Sequence, residues 1–252
     1  MLSNLLLLLL LFMTSSQAFD GSHAIWARIL KAHTTAQGVQ YAEIKKHPDV
    51  LDSYLKDLST LDEQGYLHLT QDEKLAFWIN AFNAFAVKRV VDHYPVASID
   101  KTGGFFTKPF QEKFFTLLGK KQSLDGIRND ILRYEFKKPR VLFALCEATR
   151  SGPRLQSEPF LGSRLQTQID HAEKEFMGNP TRASFDSKRL HFKISKYLKR
   201  YNKDFEEDYM LLKSYLAQVM AKSPEEKKLM EDPRTVTEFF EWDASLNEAP
   251  FF

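Results

Sequence analysis

The run Ala76-Phe77-Trp78-Ile79-Asn80-Ala81-Phe82-Asn83-Ala84-Phe85-Ala86-Val87 is apolar almost all the way round a helix. A helix of that kind cannot lie on a surface and must be covered on most of its faces by other elements. Thr70 followed by Glu73 reads as a capping box that opens this helix. Pro95 closes it just past His93, because the residue before a proline is pushed out of the helical region. Asn80 and Asn83 lie inside the run. An unpaired buried amide costs about 1–3 kcal/mol, so each needs partners. Glu73, Asn80 and Val87 share one face. On one reading they form a polar cluster beneath a pocket. On the other, which we prefer, the two asparagines bond the backbone of neighbouring loops and hold the fold together.

The rest of the chain alternates short elements. Helical spacing marks Ile25 to His33 and, after Pro48, Leu51-Tyr54-Leu55-Leu58. Val39 and Tyr41 suggest a short extended piece. Phe114 to Leu118 and the following Gly119 read as strand and turn, and Ser123 caps a helix to about Tyr134. Val141 to Cys146 has the length and apolarity of a buried strand. Phe160 to Met177 and Asp204 to Met220 read as helices. Phe185 and Leu190 to Ile194 alternate like a hairpin, and Pro233 to Trp242 reads as a final strand. Repeats, low-complexity tracts and Gly/Ser linkers are absent from the sequence after the leader described next. The expected fold is therefore α+β: one helix-rich domain over residues 19–252, with a long buried central helix and a small antiparallel sheet.

Leu5 to Met13 is an apolar run followed by Thr14-Ser15-Ser16-Gln17-Ala18. Ser16 and Ala18 stand where a signal peptidase reads small residues, so residues 1–18 are expected to be a secretory leader cleaved after Ala18. The run is shorter than the roughly 20 residues a spanning helix needs. An uncleaved N-terminal anchor is the alternative. With cleavage, the protein is expected to be periplasmic or secreted, without a stable membrane anchor. Cys146 is the single cysteine, so an internal disulfide and Cys–Cys metal sites are excluded.

The formal net charge is +2, too balanced to argue for nucleic acid as a partner. Motifs for serine hydrolases, dinucleotides and nucleoside triphosphates do not occur, and no cofactor is expected. The histidines are scattered. His171 with Asp170 and Glu173 could assemble a metal site, but solvated helix residues are the better reading, and no metal is expected. The basic cluster Lys196, Lys199, Arg200 and Lys203, beside Tyr197 and Tyr201, could bind an anionic glycan or phospholipid head group, but Asp204, Glu206, Glu207 and Asp208 follow at once, and a self-neutralised helix surface is the better reading. Phe105, Phe106 and Phe110 beside Gly103-Gly104 read equally as a binding lip or as core.

Larger stretches follow a known pattern. Glu73 to Ala84 resembles the central signature of the family called domain of unknown function 547. His93 to Ile99, Ser123-Leu124-Asp125, Ile131-Leu132-Arg133, Lys138 to Leu145, Ser195-Lys196 with Asp204-Phe205, and Trp242 with Ser245-Leu246-Asn247 are similar to its later segments. The resemblance covers nearly all of residues 40–247. It implies no secure reaction. A papain-like or transglutaminase-like thiol fold is an analogy, and fold analogy does not deliver function.

The departures carry more than the matches. After Ile127 the family pattern has Glu then His, where this chain has Arg128 and Asn129. After Arg140-Val141 it has His, where Leu142 stands. Its two cysteine positions are here Glu147 and Gly152. A Cys nucleophile needs a nearby base or positive field, and these substitutions remove the set. Cys146 is expected to be a small buried hydrophobe. The expected function is a non-catalytic binding or accessory protein for a small-molecule, glycan or peptide ligand of the cell envelope. Asn80, Asn83, Phe105 and Phe106 are the candidate binding residues. The alternative is an envelope hydrolase or acyl transferase using Glu73, Asn80 and Glu147.

Overall fold

The computed structural model describes residues 19–104, 107–209 and 212–250. Residues 1–18, the expected leader, lie outside the described residues, as do Phe105, Phe106 and the join within the expected helix 204–220. Described elements run α1 (Ala24–His33), β1 (Thr34–Thr35), β2 (Gly38–Val39), α2 (Tyr41–Lys46), α3 (Pro48–Leu58), α4 (Glu63–His68) and α5 (Gln71–His93). Next come a 3-10 helix (Ile99–Thr102), β3 (Phe115–Leu117), β4 (Lys120–Gln122), a π-helix (Gly126–Glu135), a second 3-10 helix (Pro139–Ala144), a third 3-10 turn (Gly162–Arg164) and α6 (Leu165–Met177). The chain finishes with β5 (Ala183–Asp186), β6 (His191–Ile194), α7 (Lys196–Arg200), α8 (Asn202–Tyr209), α9 (Leu212–Met220), α10 (Pro224–Glu231) and β7 (Val236–Phe239). The fold is α+β and helix-rich.

Helix α5 is the axis of the molecule. Thr70 caps it with a complete capping box: the Glu73 amide donates to Thr70 Oγ1 at 3.3 Å, and the Thr70 amide donates to Glu73 Oε2 at 2.8 Å. From Leu75 to Val87 every residue is buried. Helices α2 and α3, the π-helix and the 162–164 turn pack against it. At that turn Gly162 is required. A Cβ there would stand 2.9 Å from the Glu73 backbone nitrogen, so only a glycine allows the chain to approach so closely. The buried apolar side chains form one continuous cluster from Trp26 to Leu246. No helix among the described residues is long and apolar enough to cross a membrane.

Three expectations are corrected. Val141 to Cys146 is not a strand: Pro139 to Ala144 winds as a 3-10 helix, begun by Pro139 in its first turn. The backbone groups a neighbouring strand would have paired are taken by side chains instead. Asn83 holds Ala144 and Cys146, and the Tyr197 hydroxyl donates to the Leu142 carbonyl at 2.7 Å. The final strand is shorter than expected and runs parallel to its neighbour. The order is β5-β6-β7, with β5–β6 an antiparallel hairpin and β6–β7 parallel. Helices α7 to α10 form the long connection that a parallel return needs. Tyr41 opens α2 rather than extending β2. The helix after Ser123 forms in the expected place but with π pairing, which the apolar spacing does not signal.

Candidate functional site

Two asparagine clamps on α5 set the positions of the loops that follow the 3-10 helix. Asn80 Nδ2 donates to the Phe160 carbonyl at 2.7 Å, and the Phe160 amide donates to Asn80 Oδ1 at 3.0 Å. One turn on, Asn83 Nδ2 donates to the Ala144 carbonyl at 2.9 Å, and the Cys146 amide donates to Asn83 Oδ1 at 2.8 Å. Both side chains are buried, and each holds a backbone donor and acceptor as a strand neighbour would. The Asn83 clamp fixes the start of the segment that carries Glu147.

The backbone then turns sharply. Ala148 is buried at φ 56°, in the left-handed region that a Cβ disfavours by about 1–2 kcal/mol. Strain of this kind gathers at functional sites. Thr149, beyond the kink, bridges to Leu246. Glu147 is left pointing inward, only 2% exposed. Its carboxylate meets three groups from two other elements. Arg128, on the π-helix, donates from Nη1 to Glu147 Oε1. Arg200, at the end of α7, donates from Nη1 to Oε2 at 2.9 Å. The Tyr201 hydroxyl donates to Oε1 at 3.1 Å. Arg128 also donates to Asp125 and lies 5.1 Å from the Phe110 ring centroid. Arg200 lies 4.7 Å from the Trp242 ring.

Above this network opens a cleft of about 410 Å³. Arg128, Glu147, Arg200, Phe110, Lys108 and Trp242 are among its walls. Burial opposes the Arg128 charge, but Glu147, Tyr201 and Asp125 outweigh it and hold the guanidinium above its ordinary range. Burial, then Glu147, pushes the Tyr201 phenol up, so it remains a donor. Both Glu147 carboxylate oxygens are thereby engaged by cationic or hydroxyl donors.

Other sequence candidates lie apart from this cleft. Glu73 serves the α5 cap, where the Thr70 backbone and hydroxyl lower its carboxyl below the usual range. Among the described residues, no hydrogen bond or ion pair joins Glu73, Asn80 or Asn83 to Glu147. Cys146, next to Glu147, is buried, and its Sγ accepts from Asn247 Nδ2 at 3.2 Å. Burial pushes its thiol up. Asp170 and Glu173 are both engaged by Arg140, and among the described residues no group of three or more His, Cys, Asp or Glu could hold a metal ion.

Two residues of the network, Arg128 and Glu147, lie within a stretch that a family model matches. Residues 66–177 match the family model described as "Protein of unknown function, DUF547". That stretch, under half of the chain, is what this chain shares with the DUF547 family. No curated protein and no solved structure matches the chain. By the resemblance drawn from the sequence, Arg128 stands where the family pattern has Glu, and Glu147 where it has Cys. The structure brings these two departures together as one ion pair. Arg200, Tyr201 and Trp242 complete the site from beyond the match, and the sequence reading missed them. The sequence reading set the basic cluster against the acidic run that follows it; in the structure Arg200 pairs with Glu147, and Asp204 pairs with Arg133. A signal was available. One departure introduces a cation and the other an anion.

Proposed function

We propose that this chain is an exported binding or accessory member of the DUF547 family. The thiol chemistry its family pattern suggests is replaced by a recognition cleft. The ligand is a small molecule, glycan or peptide of the cell envelope. What carries the reading is Glu147: in the cysteine position stands a carboxylate whose two oxygens are held by Arg128, Arg200 and Tyr201. The remaining walls suit a polar ligand with an apolar face. Trp242 and Phe110 supply ring surface, and Lys108 and Arg200 supply donors. Export is supported by the leucine run and by Ser16-Gln17-Ala18.

The test joins location to binding. Intact mass of the protein from the exported fraction is expected to begin at Phe19. A thermal-shift screen of that protein against envelope oligosaccharides, short peptides and polar metabolites is expected to find stabilising ligands. Their effect should disappear in Trp242→Ala, whose ring lines the cleft. Ligands that stabilise Trp242→Ala equally, or a chain retaining Met1 in the membrane fraction, would contradict the proposal.

A further inference from the structure

On a different wall of the molecule a second cleft holds three arginines and one carboxylate. It is about 250 Å³ and lies between the β1–β2 hairpin, the loop after Thr149 and the segment following α6. Arg150, Arg154 and Arg182 line it, with Glu175 as the acidic residue. Arg154 is satisfied. It donates from Nη1 to Glu175 and from Nη2 to the Thr35 carbonyl at 2.8 Å. The second Glu175 oxygen accepts from Gln156 Nε2 at 2.9 Å. That carboxylate is thereby fully engaged.

Arg150 and Arg182 have no such partner. Among the described residues neither forms an ion pair within 4 Å. Arg182 donates from Nη2 to the Arg150 carbonyl at 3.2 Å and rests its guanidinium 5.2 Å from the Phe176 ring centroid. Arg150 makes a long contact of 3.5 Å to the Glu248 carbonyl. Burial, then the neighbouring Arg154, lowers the Arg182 guanidinium from its ordinary value, against the pull of Glu175. Holding guanidinium groups together in a partly desolvated wall is unfavourable unless an anion joins them. Their forked donors match the geometry of an oxyanion.

We propose that this cleft is a phosphate site, taking free phosphate or the terminal phosphate of a small phosphomonoester, with Arg150 and Arg182 as its two clamping residues. Charge selects the ligand. Three arginines against one glutamate leave a surplus of two positive charges. A phosphate monoester carries about −1.5 to −2 near neutral pH, whereas a carboxylate supplies a single charge. The volume of about 250 Å³ leaves room for the phosphate and a few further atoms.

The experiment is calorimetric titration of the purified protein at low ionic strength. Inorganic phosphate and glycerol 3-phosphate are the probes. Acetate and chloride at matched ionic strength are the controls. Both phosphates are expected to bind and the controls are not. Tighter binding of glycerol 3-phosphate would assign the site to a phosphomonoester, and tighter inorganic phosphate would assign it to the free ion. Arg182→Gln is expected to weaken binding by about ten-fold or more. Arg150→Gln, an exposed position where folding is not at stake, should weaken it in the same direction. Binding of acetate as strong as that of phosphate, or phosphate binding unchanged in Arg150→Gln, would overturn the proposal. Trp242→Ala, in the other cleft, should leave phosphate binding intact, so the two sites fail or stand separately.

Discussion

Replacing Asn80 by alanine removes both halves of one clamp. The Phe160 carbonyl and amide lose their partners, and both lie in the interior beside a residue that is itself fully buried. Each orphaned group costs about 1–3 kcal/mol. Some relaxation or water entry recovers part of the sum, so the expected loss is about 2–4 kcal/mol. That is a large share of the roughly 5–15 kcal/mol that holds a domain together. Urea denaturation followed by fluorescence measures it. The midpoint should fall while the slope stays constant, because the same surface is exposed on unfolding. A loss below about 0.5 kcal/mol, the size of an ordinary surface change, would refute the clamp. Unchanged stability with loss of ligand binding would go further and make Asn80 part of the binding site.

Other outcomes follow from the same geometry. Burial lowers the His23 imidazole to about 4, with Asp20 opposing. The folded state therefore holds His23 neutral where the unfolded chain takes up a proton. Stability should be fully present above pH 6.5 and fall as pH drops from 6.5 towards 4, by about 3 kcal/mol from this group. His23→Gln should flatten that part of a stability–pH curve, and an equally steep curve in the variant would count against it. Arg128→Met should destabilise by about 3 kcal/mol by stripping a buried carboxylate of one partner, while Arg128→Met with Glu147→Met should cost less. Denaturation of the single and double variants decides, and equal or larger loss in the double variant contradicts the pairing. Native Cys146 should label slowly with iodoacetamide and rapidly once unfolded, because it is buried and its thiol is held protonated. Equal rates in the two states would show the thiol to be accessible.

Local chemistry made some elements legible and distance hid others. The α5 helix could be read because its cap, its all-round apolarity and Pro95 lie within one stretch of chain. The β5–β6 hairpin could be read because its partners are neighbours in sequence. The segment after Pro139 misled because its apolar run looks the same whether a strand or two asparagine side chains satisfy its backbone. The direction of β7 was hidden because nothing local says which end of a sheet a chain enters after four helices. The site divides in the same way. Glu147 and Arg128 were visible as departures from a family pattern, but their pairing was not. Arg200 lies 53 positions from Glu147, and the acidic run after it offered a nearer counterion. Phe110 both packs against the core and lines the cleft, so neither the lip nor the core reading of that loop is singled out, while Phe105 and Phe106 lie outside the described residues.

The central proposal is that this chain, similar to the DUF547 family over residues 66–177, carries an ion-paired cleft in place of thiol chemistry. A search for a covalent acyl intermediate tests it most directly. Wild type, Cys146→Ala and Glu147→Gln would be incubated with a panel of activated esters and amides. Product formation and intact mass would be followed together. The account expects no adduct on Cys146 and no turnover that depends on Cys146 or Glu147. A stoichiometric acyl adduct on Cys146, or turnover lost in Glu147→Gln with its fold intact, would contradict it and make this chain an enzyme.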